Sequence, residues 1–199
     1  MKLTKFRIGE GELENPSALY SAVSKALNEV YYGTIFISNQ NIILEDMMIN
    51  GKVFTPPSKN PVASVVSVLS SVNYDPDHIV SADYPQSADI TYHRLAGDCE
   101  DFARLASVVL ACHGIPSEMI VMFRKTENGE LAGHAVCYSN IDGISYIFDV
   151  HSYTKASSLQ EALLVYYPKY IIFFRYKFEP SANVKERIKT VSDFMVTPI

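Results

Sequence analysis

The stretch Gly97-Asp98-Cys99-Glu100-Asp101-Phe102-Ala103, running on to Gly114-Ile115-Pro116, decides how the chain is read. Asp98 is a favourable N-cap, and Asp101 three residues on has the spacing of a capping box. From Cys99 to His113 the residues are mostly apolar, with Glu100, Arg104 and Ser107 as one polar stripe, which predicts a largely buried helix. Gly114 suits the left-handed C′ position, and Pro116 cannot continue a helix. Cys99 falls in the first turn. Free backbone N–H groups and the positive end of the helix dipole favour a thiolate there and offer donors to an oxyanion. The carboxylates of Asp98, Glu100 and Asp101 act against that thiolate, so a reactive Cys99 requires an imidazolium nearby. Cys112 lies about 220° further around the helix and reads as a small core residue.

Downstream, Glu118–Lys125, Ala132–Ser139 and Ile144–Val150 have strand character, with turn signals at Glu127-Asn128-Gly129 and Asp142-Gly143. One buried helix followed by an antiparallel meander is an α+β arrangement. Ser158–Tyr167 is expected as a short helix, Tyr170–Phe178 as a last strand and Asn183–Phe194 as an amphipathic tail helix. Upstream, Asn15-Pro16 opens a helix carrying Leu19, Val23, Leu27 and Val30. Thr34–Ser38 and Ile42–Ile49 read as strands, Asn50-Gly51 as a hairpin turn before Lys52–Thr55, and Pro61 as the start of a further helix. Residues 74–97 read as irregular and polar. The expected organisation is an N-terminal helix and hairpin region (1–73) packed on a core (74–180), with a tail helix over 181–199, in one compact domain.

The 199 residues fit a single domain, and 48% apolar residues suffice for a proper core. With a net charge of −5 and no long basic run, nucleic acid is not an expected partner. No apolar stretch has the length to span a membrane, and the N-terminus has no apolar segment of a secretory signal. Three cysteines, Cys99, Cys112 and Cys137, argue against a disulfide scaffold and for a reducing compartment. The expected location is the cytoplasm, with a place in a virion as the alternative.

Strand alternation puts His134 and Val136 on one face, Ala135 and Cys137 on the other. Asp149 closes the next strand, and adjacent antiparallel strands can set a His and an Asp side by side. Nucleophile, base and orienting carboxylate then follow in the order Cys99, His134, Asp149.

At these residues the chain resembles the transglutaminase-like superfamily of papain-fold cysteine enzymes, in particular its bacterial and phage branch. The runs that carry the resemblance are YPQSADITYHRLAGDCEDFARLASVVLACHGIP, GHAVCYS and SYIFDVHSY, within residues 74–153. It implies a papain/transglutaminase-like core in which the helix starting at Cys99 packs on an antiparallel sheet carrying His134 and Asp149. It further implies Cys99 as nucleophile, His134 as general base and Asp149 as orienting acid. Members of the family often carry a Trp before the Cys helix; this chain has no Trp. Gln86 is the side-chain candidate for an oxyanion donor, while His151, two residues past Asp149, is expected as a neighbour of the base.

No zinc spacing is present, since there is no Cys-x-x-Cys, Cys112-His113 has no partner pair, and His78 and His93 lie in a polar linker. No phosphate-binding or dinucleotide fingerprint occurs. Neither metal nor cofactor is expected. The expected function is thiol-dependent hydrolysis of a peptide or amide bond, with a peptide or protein as substrate. Cross-linking is the alternative within that chemistry. A non-catalytic module of a phage particle or other large assembly, with protein assembly partners, is the alternative outside it.

Overall fold

A computed structural model describes residues 5–6, 35–46, 48–49, 52–76, 86–170, 172–181 and 194–198. The helix expected from Asn15-Pro16 lies outside them. An eight-stranded sheet forms the frame. Its strands are β1 (Lys5–Phe6), β2 (Ile35–Asp46), β7 (Ser117–Lys125), β8 (Leu131–Ile141), β9 (Ile144–Asp149), β10 (Ser152–Ala156), β11 (Ile172–Ser181) and β12 (Phe194–Pro198). They run in the order β1-β12-β2-β11-β7-β8-β9-β10. Two short pairs stand apart: β3 (Met48–Ile49) with β4 (Lys52–Val53), and β5 (Asn73–Tyr74) with β6 (Ala96–Gly97). The helices are α1 (Pro61–Leu69), α2 (Ala88–Arg94), α3 (Cys99–Cys112) and α4 (Leu159–Tyr166).

Both faces of β7 and β8 are covered, and these strands show it residue by residue. Along β7, Met119 and Phe123 belong to the core under α3, whereas Ile120 and Met122 belong to the core under α4. Along β8, Ala135 and Cys137 face α3 while Val136 faces α4. Two-sided burial explains why β7 reads as a continuous apolar run instead of an alternating one. Phe102, Leu105, Val109 and Leu110 of α3 are buried against the first face, Leu163 of α4 against the second.

Helix α3 ends as its sequence demands. Gly114 has φ +71, Ile115 N–H donates to Leu110 O at 3.0 Å and Gly114 N–H to Ala111 O at 2.9 Å. These are the two bonds of a Schellman motif. His113 Nε2 at the cap lies 3.0 Å from Ser64 Oγ, tying the end of α3 to α1. The polar stripe narrows at Ser107, which is buried and returns its hydroxyl to Ala103 O at 3.0 Å.

Several elements differ from expectation. Thr34–Ser38 and Ile42–Ile49 are mostly one strand, β2, which runs parallel to β11 and so departs from a purely antiparallel sheet. The Asn39-Gln40-Asn41 segment, read as a break, is absorbed where the β2–β11 register shifts between Phe174 and Tyr176. Of the stretch expected as a tail helix, residues 194–198 form β12, pairing with β2 in the register Val196↔Ile37. An available sheet edge and the strand-forming run Phe194-Met195-Val196-Thr197 outweigh the local helical pattern; residues 182–193 lie outside the described ones. Within the irregular linker stands α2, whose N-cap Ser87 accepts from Ile90 N–H at 3.4 Å. Residues 152–156 add β10 beyond the expected meander. The Asn50-Gly51 turn lies outside the described residues; Ile49 pairs with Lys52.

The strand β6 delivers the chain into α3 through a tight place. A Cβ at Gly97 would lie 2.7 Å from both Cβ and Oδ2 of Asp101. Gly97→Ala is therefore expected to lower stability by about 1–3 kcal/mol. Urea unfolding followed by circular dichroism checks this through a lower midpoint at unchanged slope.

Candidate active site

The site begins with a buried carboxylate. Asp101, 2% exposed, accepts from the backbone N–H of Gln86 at 2.7 Å, from Gln86 Nε2 at 2.6 Å and from the backbone N–H of Asp98 at 3.3 Å. Burial raises its carboxyl above the usual range, against the opposing pull of these donors and of Arg104. Gln86 Oε1 in turn accepts from Arg94 Nη1 at 2.8 Å, linking α2 to the start of α3. The Gln86 side chain thus ties the helix start to α2.

Cys99, half-buried, follows the N-cap Asp98. Its thiol donates to Glu100 Oε2 at 3.2 Å. Burial first, then the charge and acceptor oxygen of Glu100, push the thiol well above its usual range; Asp98 adds to this. The backbone N–H of Ala135 bonds the sulfur and pulls the other way. Cys99 therefore meets β8 at the residue next to His134, as a neutral thiol. Among the described residues its side-chain hydrogen bond goes to Glu100 and none joins it to His134.

His134 and Asp149 are brought together directly. The β8–β9 register pairs Cys137 with Phe148. Carried one step further, it sets Asp149 opposite Val136, the same-face neighbour of His134. His134 Nε2 lies 2.9 Å from Asp149 Oδ1, with the two side chains 20% and 24% exposed, so water reaches both. An ionised Asp149 can only accept, which makes Nε2 the donor and leaves Nδ1 as the basic nitrogen. Burial alone would raise the Asp149 carboxyl. The hydrogen bond and charge of His134, with the hydroxyl of Tyr167, hold it below the usual range instead.

Tyr167 was not marked by the sequence: its hydroxyl donates to Asp149 Oδ2 at 2.7 Å from the residue capping α4. Nothing in Tyr166-Tyr167-Pro168 distinguishes it from the aromatic residues around it. Tyr74 of β5 is a second such residue. Burial raises its phenol, with Cys99, Asp98, Glu100 and Asp149 adding to the shift, and its ring lies 6.3 Å from that of Phe102.

His151 does not share the face of Asp149 on a continuing strand. The strand ends at Asp149, Val150 turns with φ +48, and His151 Nε2 bonds Val72 O at 2.8 Å with its ring edge-on to Phe102. It anchors the β9–β10 turn to the segment after α1. Cys137 is fully buried, its sulfur 3.3 Å from Ser107 Oγ, and burial pushes its thiol up to about 12. Cys112 is half-buried, its thiol also raised by burial. Among the described residues no group of three or more His, Cys, Asp or Glu could hold a metal ion. No helix among them is long and apolar enough to cross a membrane.

The chain has no match among curated proteins. Among solved structures it is similar to Legionella pneumophila LapG, with 27% identity over 49% of this chain and 57% of that one, at a TM-score of 0.38. The calcium-bound form of LapG gives 24% identity, 55% and 60% coverage and a TM-score of 0.40. A candidate cysteine protease from Cytophaga hutchinsonii gives 24% identity, 47% and 31% coverage and a TM-score of 0.37. The chain thus spans less than two thirds of each of these proteins. The sequence profile of the transglutaminase-like superfamily matches residues 52–159, which takes in α1 as well as the stretch that carries the resemblance. With more than half of its residues so matched, the chain belongs to the transglutaminase-like superfamily.

Proposed function

We propose that the protein hydrolyses a peptide or amide bond through a thioester on Cys99, with His134 as general base and Asp149 as the acid that orients it. One observation carries the reading. The His134–Asp149 hydrogen bond of 2.9 Å stands one residue from the backbone N–H that touches the Cys99 sulfur. His134 Nδ1 takes the thiol proton as Sγ attacks the carbonyl carbon. The oxyanion that forms is met by backbone N–H groups at the start of α3. The C–N bond then breaks, and the proton on His134 passes to the leaving amine. Water, deprotonated by His134, attacks the thioester, the acid departs, and the sulfur recovers its proton. Asp149 keeps the imidazolium oriented throughout and is not itself protonated. A peptide or protein is the proposed substrate. The free Cys99, Cys112 and Cys137 favour a reducing compartment for the reaction.

Burial and Glu100 both favour the protonated thiol, so in this reading it passes its proton to His134 in step with attack. Iodoacetamide labelling across pH 5 to 9, read by mass spectrometry, tests the arrangement. His134→Ala is expected to slow the labelling of Cys99 and to leave that of Cys112 and Cys137 unchanged. Cys99→Ala and His134→Ala are each expected to abolish amide hydrolysis. A Cys99 whose labelling ignores His134 would remove the mechanism and favour an assembly module in its place.

Glu100→Gln removes the charge and the anionic acceptor that raise the thiol. Its labelling profile is expected to move to lower pH, with the rate at a fixed pH near 8 rising roughly tenfold for each unit by which the thiol falls.

A further inference from the structure

We propose that Tyr167 is a positioning residue of this site: by occupying Asp149 Oδ2 it leaves Oδ1 as the one oxygen that holds the His134 ring. The inference deepens the reading of His134 as base and rests on it.

The geometry is that of a chain of three side chains. His134 Nε2 lies 2.9 Å from Asp149 Oδ1, and the Tyr167 hydroxyl lies 2.7 Å from Oδ2. A carboxylate held by one donor can swing about its Cβ–Cγ bond and offer either oxygen. A second donor on the opposite oxygen fixes its plane. Two donors also keep the carboxylate ionised, so the ring proton stays on Nε2 and Nδ1 stays basic.

Tyr167 is itself held. It is 9% exposed, its backbone N–H closes the last turn of α4 on Leu163 O at 3.0 Å, and its carbonyl accepts from Tyr170 N–H at 3.0 Å. Ala162 and Leu163, both 1% exposed, fasten that turn to the sheet. The Tyr167 ring centroid is 6.1 Å from that of His134, and the Tyr170 ring is 6.2 Å from each of them. Tyr170 therefore packs on the same imidazole, and no hydrogen bond joins it to Asp149 among those described for that carboxylate. That makes it a matched comparison for the hydroxyl of Tyr167.

Tyr167→Phe and Tyr170→Phe, in the full chain, test the proposal. The first readout is the tautomer of the His134 ring by long-range 1H–15N NMR, which needs no substrate. The second is the rate of Cys99 alkylation by iodoacetamide against pH. Tyr167→Phe is expected to retain the wild-type circular dichroism spectrum. The Nε2–H tautomer should lose its dominance and the His134-dependent alkylation should fall roughly tenfold. Tyr170→Phe is expected to leave both unchanged. A Tyr167→Phe protein with wild-type tautomer and alkylation profile overturns the proposal, reducing Tyr167 to packing. Should that variant fail to fold, the wild-type protein is read instead: a slowly exchanging Tyr167 hydroxyl proton supports the bond, and a freely exchanging one overturns the proposal. If Cys99→Ala left hydrolysis intact, the functional reading would fail, while the His134 tautomer would still decide the role of Tyr167.

Discussion

The carboxylate of Asp101 is the interaction on which the site depends. A carboxyl group so deeply buried would be costly without partners, and it collects both nitrogens of Gln86 together with the backbone N–H of Asp98. Each of those bonds fixes a different part of the molecule. The Asp98 bond sets where α3 starts and hence the turn in which Cys99 lies. The Gln86 bonds bring in the preceding segment, and through Arg94 they hold α2. The polar centre thus does for the start of α3 what the Schellman turn does for its end, so that the helix carrying Cys99 has both ends specified.

The sheet solves a second problem, which is how to gather groups from opposite sides. Ala135 faces α3, and its backbone N–H touches the Cys99 sulfur; His134, one residue earlier, faces the aromatic cluster around α4. Cys99 comes from one layer, and His134, Asp149 and Tyr167 from the other. Residues 134 and 135 of β8 are the point at which the two layers come nearest in sequence. A slip of one residue between β8 and β9 would send His134 and Asp149 to different faces, because side-chain direction alternates with every residue. The two-residue turn at Asp142-Gly143, closed by the pair Ile141↔Ile144, guards against such a slip.

Much of this was legible beforehand, where one residue type has one physical use. Gly114 before Ile115-Pro116 stops a helix because few residues tolerate its backbone angles, and Asp142-Gly143 turns a hairpin for the same reason. The pairing of His134 with Asp149 was legible because alternation and turn length fix faces. What escaped detection rests on contacts far apart in sequence. Helix α2 is seven residues long, too short to display a period. Strand β12 exists because β2 offers it an edge. Tyr167 matters only through Asp149, eighteen residues away, and Gln86 through Asp101, fifteen residues away. The direction of the Cys99 thiol, toward Glu100, depends on side-chain rotation that no spacing records.

The crowding at Gly97 bears on how this protein can change over generations. Because a methyl group there would occupy the space of the Asp101 side chain, neither position is open to drift by itself. A larger residue at 97 becomes tolerable only after Asp101 has shortened or turned away, and that first step would release Gln86 and the start of α3. The two sites form a ratchet in which the viable path runs through a less stable ancestor, so variation around Cys99 is expected to settle on the outer turns of α3 and leave this tight passage untouched.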